Sequence, residues 1–267
     1  MPRNTFRRRL TEGQKLFGLW LVLGDSYSAE LLAGVGYDWL LIDAEHGPND
    51  LRSVLSQLQS IAAANALAFD ETERRTSEPV VRLPNADASL IKQYLEIGAP
   101  NLLLPMIDTP EDAQAVIQAT RYAPAGVRGM GSGIGRSSRW GRLTDYVGAA
   151  GENIGVIVQV ETRTALENAE AIASVDGVDG VLFGASDLSA ELGVPGQPNH
   201  PDVVAAITEA NQAVLSTGTP TGIMVADPLV TERWMSQGVT FAGVAADSSL
   251  LVKAADALLE RFRSPHE

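Results

Sequence analysis

One pattern recurs along the chain: an apolar run, a turn, and a helical stretch. The runs Phe17–Leu23, Trp39–Asp43, Pro79–Leu83, Asn101–Pro105, Gly155–Val160, Gly180–Phe183, Thr221–Val225 and Phe241–Val244 read as strands. Most are continuously apolar rather than alternating, as expected of strands buried on both faces of a parallel sheet covered by helices. Helices are predicted between them, over Ser28–Ala33, Asp50–Ala64, Ala88–Ile97, Pro110–Thr120, Thr164–Ala173, Pro201–Leu215, Pro228–Gln237 and Ser248–Phe262. The second of these carries Leu51, Val54, Leu55, Leu58 and Ile61 at helical spacing. Eight strand–helix units predict an α/β fold closed as a TIM (β/α)8 barrel, with an open doubly wound sheet as the alternative.

Three stretches break the rhythm. Asp70–Glu78 is charged and turn-like and reads as a loop before the third strand. Pro124–Gly141 is rich in Gly, Arg and Ser, and Gly193–His200 is a loop leading into Pro201, a favoured first residue of a helix. The run Gly129–Gly135 matches G-x-G-x-x-G at no register and follows no strand, so it reads as a mobile loop rather than a nucleotide site. Arg136 and Arg139 within this stretch are candidates for a pocket or a subunit interface.

Composition narrows the chemistry. The 267 residues suit one barrel domain. A formal net charge of −13 repels phosphate backbones, so nucleic acid is not an expected partner. The absence of cysteine excludes disulfides, thiolate metal sites and cysteine nucleophiles. Arg3, Arg7, Arg8 and Arg9 before Leu16–Leu23 imitate a signal peptide. Glu12 in the basic region and Gly18 in the run favour a first strand instead. No apolar run approaches the roughly 20 residues of a membrane span, and the expected location is cytoplasmic.

Catalytic groups of such a barrel sit at the C-terminal ends of its strands. The second strand ends in Asp43-Ala44-Glu45-His46-Gly47-Pro48. His46 reads as an acid/base with Asp43 placed to orient its ring, or else as a surface histidine. Arg82, inside an apolar strand, either grips an anionic oxygen at the mouth or pairs with a buried acid. Glu161 and Asp187 follow the fifth and sixth strands, and two carboxylates at neighbouring strand ends suit a hard divalent cation. Asp187 also reads as an ordinary helix cap. The backbone N–H groups of that helix start suit an anionic carboxylate. None of Lys15, Lys92 and Lys253 ends a strand, which disfavours Schiff-base chemistry. His200 and His266 read as peripheral.

Six ordered motifs together resemble the HpcH/HpaI aldolase family over nearly the whole chain. They are Leu41–Pro48, Val81–Pro84, Leu103–Met106, Arg121–Pro124 with Arg128-Gly129, Gln159–Thr162 and Gly184–Ser189. The nearest branch is the hydroxy-oxo-acid aldolases acting on 4-hydroxy-2-oxoheptanedioate, 2-keto-3-deoxy-rhamnonate or 2-dehydro-3-deoxyglucarate. The resemblance implies a modified TIM barrel over residues 1–267 whose last helix, about 248–262, packs on a neighbouring subunit in a hexamer or trimer. It implies class II aldolase chemistry on small oxo acids and aldehydes, with Mg2+ or Mn2+ (Co2+ as a substitute) held by Glu161 and Asp187. It assigns His46 as acid/base with Asp43 behind it, and Arg82 beside the keto and enolate oxygen. It assigns Gln159 and the backbone of Ser186 and Asp187 to the pyruvyl half. A CoA-ester lyase of the same superfamily and a non-catalytic sugar-acid-binding barrel are the rival readings. Ala185-Ser186 stands where relatives often have Pro-Ala, Ala44 where they have Gly, and Glu96 where they have Asp. The charged stretch before Pro79 looks longer than usual. These departures bear on substrate range and pocket entrance.

Overall fold

The computed structural model describes residues 4–67 and 76–263. The chain opens with a helix, α1 (Thr5–Thr11), and then alternates. The first half runs β1 (Leu16–Leu21), α2 (Ser26–Ala33), β2 (Trp39–Asp43), α3 (Leu51–Ala66), β3 (Glu78–Arg82), α4 (Ala88–Glu96), β4 (Asn101–Leu104) and α5 (Pro110–Thr120). A 3-10 turn at Arg136–Ser138 and α6 (Tyr146–Asn153) precede β5 (Gly155–Val160), α7 (Arg163–Glu167), α8 (Ala169–Ala173) and β6 (Gly180–Phe183). Then come α9 (Ala185–Glu191), α10 (Pro201–Ser216), β7 (Thr221–Met224), α11 (Pro228–Ser236), β8 (Phe241–Ala246) and α12 (Asp247–Arg263). The strands close in order from β1 to β8, and β8 pairs with β1 in parallel like every other neighbour. The open-sheet alternative is thereby set aside.

The continuous apolar runs follow from this closure. Successive side chains of a strand alternate faces. In β2, Leu40 and Ile42 join the core between sheet and helices, while Trp39 and Leu41 join the core inside the barrel. Both faces are dry, so polar positions have no place until the strand ends. The lower interior is packed by Trp39, Phe241 and Phe6, with ring centroids 6.1–6.4 Å apart. Space for these rings comes from glycines on adjacent strands. A Cβ at Gly18 would fall 2.1 Å from the Trp39 ring, and one at Gly222 would fall 2.1 Å from Phe241.

Phe6 and Leu10 come from α1, which plugs the barrel base. Asn4 caps this helix by accepting from the Arg7 amide, and Arg7 Nε donates to Asp179 at 2.6 Å. Arg7, Arg8 and Arg9 therefore belong to a helix beneath the barrel, ahead of a true first strand. The basic run had hidden this helix. The stretch expected as one helix over 164–173 divides at Asn168, whose side chain donates to the Asp108 carbonyl at 2.9 Å. Most strands end within a residue or two of expectation. Glu78, expected in a loop, opens β3. The rest of that charged stretch, over 70–75, lies outside the described residues, as do Arg3 and His266.

Two features bear on assembly. Among the described residues no helix is long and apolar enough to cross a membrane. The last helix, α12, is amphipathic, yet Leu251, Leu258 and Phe262 remain 62%, 56% and 80% exposed.

Candidate active site

The ends of β1, β2, β3, β5, β6 and β7 converge on a cavity of about 210 Å³. It is lined by Trp20, His46, Arg82, Gln159, Leu182, Phe183, Gly184, Ala185, Ser186, Asp187 and Met224. Five of the residues singled out from sequence thus share one space. The other two stand directly behind its wall. Asp43 is tied to Arg82, and Glu161 to Gln159.

Arg82 is 5% exposed. It lines the cavity and is also paired with buried acids. Its Nε and Nη2 donate to the two Asp43 oxygens at 3.0 and 2.7 Å. Its Nη1 lies 2.7 Å from Glu45 Oε2, and its guanidinium stacks over the Trp20 ring at 4.4 Å. A planar fork held on three sides cannot swing, which is the property a fixed charge in a site needs.

Asp43 has another partner than expected. Its Oδ1 also accepts the backbone N–H groups of Glu45 and His46, at 3.1 and 3.2 Å. It therefore shapes the turn after β2 and grips Arg82, and no contact with the His46 ring forms. The acid beside that ring is Glu45, with Oε2 3.7 Å from His46 Nε2. The His46 side chain is 67% exposed and free to reach into the cavity. Burial pushes the Glu45 carboxyl up, against the lowering charges of Arg82 and His46.

Glu161 is buried, and its carboxylate is fixed at both oxygens. Oε1 accepts the Met106 amide at 2.7 Å, and Oε2 accepts from the Gln159 side chain. Met106 presents that amide from a left-handed backbone (φ 55°), which a bulky side chain seldom adopts. Burial is the main cause that raises Glu161, to about 7. The Met106 amide opposes it, and the charges of Asp187 and Glu45 add to it. Gly184 permits this closeness, since a Cβ there would lie 2.7 Å from the Glu161 Cβ and 2.9 Å from its Oε2.

Asp187 is exposed in the first turn of α9, whose N-cap is Gly184 and which has no side-chain cap. The ordinary capping role is absent, so its carboxylate is free to face the cavity. Asp43 and Glu45 hold the Arg82 guanidinium, and Glu161 and Asp187 add two further carboxylates at the neighbouring strand ends, a surplus of negative charge that suits a cation. No cluster of three or more His, Asp or Glu able to hold a metal occurs among the described residues. Two carboxylates, with water or substrate oxygens completing the shell, is a common arrangement for Mg2+.

Some lining residues escaped the sequence reading. Trp20, Leu182 and Met224 had looked like strand core, and nothing local marks the backbone of Met106. His200 caps α10 by accepting from the Asp202 amide, apart from the site. A larger cavity of about 620 Å³ lies away from this chemistry, between α3, α4 and the 129–136 segment.

Known proteins resemble the chain over most of its length. The model of the family HpcH/HpaI aldolase/citrate lyase matches residues 16–254. A 4-hydroxy-2-oxo-heptane-1,7-dioate aldolase of Klebsiella pneumoniae is 47% identical, across 97% of this chain and 94% of its own. A hydroxypyruvate/pyruvate aldolase of Deinococcus radiodurans is 48% identical, across 97% of this chain and 90% of its own. The crystal structure of an HpcH/HpaI aldolase/citrate lyase family protein from Burkholderia cenocepacia superposes with a TM-score of 0.91. It is 39% identical and covers 98% of this chain and 100% of that one.

Proposed function

From the premise that the chain belongs to the HpcH/HpaI aldolase/citrate lyase family, we propose that it is a class II aldolase, a carbon–carbon lyase. It reversibly cleaves 4-hydroxy-2-oxo acids to pyruvate or hydroxypyruvate and an aldehyde. The observation that carries this reading is one cavity lined by a clamped guanidinium, an exposed imidazole and the Asp187 carboxylate, with the Glu161 carboxylate of the neighbouring strand end held behind its wall through Gln159.

Glu161 and Asp187 would hold Mg2+ or Mn2+, with Co2+ as a substitute. The fit rests on their hard oxygen donors, the surplus negative charge and the close approach that Gly184 allows. When bound, such a cation supplies Lewis acidity to the substrate's oxo group. The chain's own residues do the rest. Gln159 and the amides of Ser186 and Asp187 orient the pyruvyl carboxylate. His46 accepts the C4 hydroxyl proton, directly or through one water. The C3–C4 bond then breaks, releasing the aldehyde and moving its electron pair towards the C2 oxygen. Arg82 faces the enolate charge that develops there, and protonation at C3 yields pyruvate. The exposed apolar side chains of α12 suit burial against a neighbouring subunit of a homo-oligomer, hexameric or trimeric.

The defining experiment is exchange of pyruvate methyl protons with solvent deuterium. Exchange is expected with Mn2+, Mg2+ or Co2+, to cease with EDTA, and to leave no adduct after borohydride. A reduced pyruvate adduct on any lysine would overturn the metal mechanism. His46→Ala is expected to slow aldol cleavage by a general-base factor on the order of 10²–10⁴. His46→Gln, which keeps a hydrogen-bonding group but cannot serve as the base, should lose as much as His46→Ala in kcat/KM with metal saturating. Little loss in both variants would move the proton to Glu45 or to a bound water.

A further inference from the structure

We propose that Asn49 and Gln57 are positioning residues for His46, an amide pair anchored inside α3 that fixes the loop carrying the ring. The proposal rests on the aldolase reading and deepens it. The inward face of α3 carries Val54, Leu58 and Ile61, and Gln57 sits among them 0% exposed. A polar group buried there costs stability where it lacks a hydrogen bond, and its Oε1 has no partner among the described residues. Its Nε2 donates to Asn49 Oδ1 at 2.6 Å and to the Ser53 carbonyl at 3.2 Å. The Ser53 hydroxyl donates to the same Asn49 oxygen at 2.9 Å. Two donors on that oxygen turn the other end of the Asn49 amide towards β2, where Nδ2 donates to the Asp43 carbonyl at 2.7 Å.

The loop between these anchors carries the base. Asp43 Oδ1 holds the amides of Glu45 and His46 from one side. Asn49 holds the Asp43 carbonyl from the other, and its own N–H donates to the Gly47 carbonyl at 2.8 Å. Gly47 lets the loop close this tightly, since a Cβ there would fall 2.5 Å from the Asp43 carbonyl oxygen. The His46 ring has no hydrogen bond among the described residues, and its one ion-pair partner, Glu45, stands 3.7 Å away. The place of the ring is therefore set by its backbone rather than by contacts of its side chain. A helix packed on the core gives that backbone a rigid support. A catalytic group displaced by about 1 Å can lose on the order of 10²-fold in rate.

The test reads kcat and KM for cleavage of 4-hydroxy-2-oxopentanoate to pyruvate and acetaldehyde, with metal saturating, in Asn49→Asp and Gln57→Met. Each substitution is made alone and in a His46→Ala background. Asn49→Asp keeps the acceptor for Gln57 and Ser53 but sets a carboxylate oxygen against the Asp43 carbonyl in place of a donor. It is expected to lower kcat about ten- to a hundredfold. Gln57→Met is similar in length and leaves no polar atom buried, so its melting temperature should stay at or above that of the wild type. Its kcat should nevertheless fall about three- to tenfold. KM should move less than about twofold in both, since neither residue touches the groups that hold the pyruvyl half. In the His46→Ala background neither change should lower kcat further, because both act through the ring. Equal falls with and without the ring would overturn the proposal, as would an unchanged kcat in either single variant. Wild-type protein that neither cleaves this substrate nor exchanges pyruvate methyl protons would sink the aldolase reading, and the positioning role with it.

Discussion

Glu161→Gln is expected to abolish metal-dependent turnover and, in metal-free protein above pH 7, to raise the melting temperature. The two effects share one cause. Burial lifts the Glu161 carboxyl from 4.5 to about 7. Between those values the unfolded chain has released its proton while the folded chain keeps it. Stability therefore falls as pH rises across that window and stays lower above it. The difference is of the order of 3 kcal/mol, and an uncharged amide removes it. Hydrogen bonding survives the change. The remaining oxygen takes the Met106 amide, and a flipped Gln159 offers its Oε1, which is buried without a partner. At roughly 2–4 °C per kcal/mol for a chain of this size, the gain is several degrees.

Metal reverses the ranking. Only the ionised carboxylate binds a cation, so apparent metal affinity should rise with pH up to about 7. Added Mn2+ should raise the wild-type melting point and leave the variant unmoved. Asp187→Asn, at an exposed position, should lose turnover with little change in melting. Melting curves at pH 6 and 8, with EDTA and with Mn2+, check this together with calorimetric metal titration. Tight metal binding by either variant would remove the carboxylates from the metal site.

The barrel was legible because its strands are dry on both faces, so polarity appears only where they end. Asp43, Arg82, Glu161 and Asp187 stood out for that reason. The same logic hid Trp20, Leu182 and Met224, whose apolar side chains continue their strands while facing the mouth. Charge pairing was harder to read. Asp43 lies three residues from His46 but faces Arg82 across the β2–β3 register, where the two residues are direct partners. Sequence distance favoured the wrong neighbour, and sheet register decided the right one. The left-handed backbone of Met106 has no glycine to announce it, so the amide it aims at Glu161 was invisible.

Arg82→Lys is expected to be among the most damaging single substitutions, although it keeps the charge. A lysine has no planar fork to hold both Asp43 oxygens and no guanidinium face for Trp20. It also leaves Asp43, 1% exposed, without a bidentate partner. Breaking such a buried pair typically costs about 3–5 kcal/mol, so melting should fall as well as activity. The two losses are separable. Asp43→Asn also breaks the charge pair but leaves the guanidinium in place, stacked on Trp20 and beside Glu45. If Arg82 acts on the developing enolate, Arg82→Lys should lower kcat by roughly 10²–10³ beyond the loss seen in Asp43→Asn, the scale for removing one aimed donor. The loss should fall on kcat because the enolate oxygen is fully charged only near the transition state. Rates of pyruvate proton exchange and aldol cleavage, set beside melting temperatures for both single variants and the double variant, provide the comparison. Unchanged kcat with raised KM in Arg82→Lys would assign the guanidinium to ground-state binding. Equal kcat losses in the two single variants would reduce Arg82 to a partner that holds Asp43 in place.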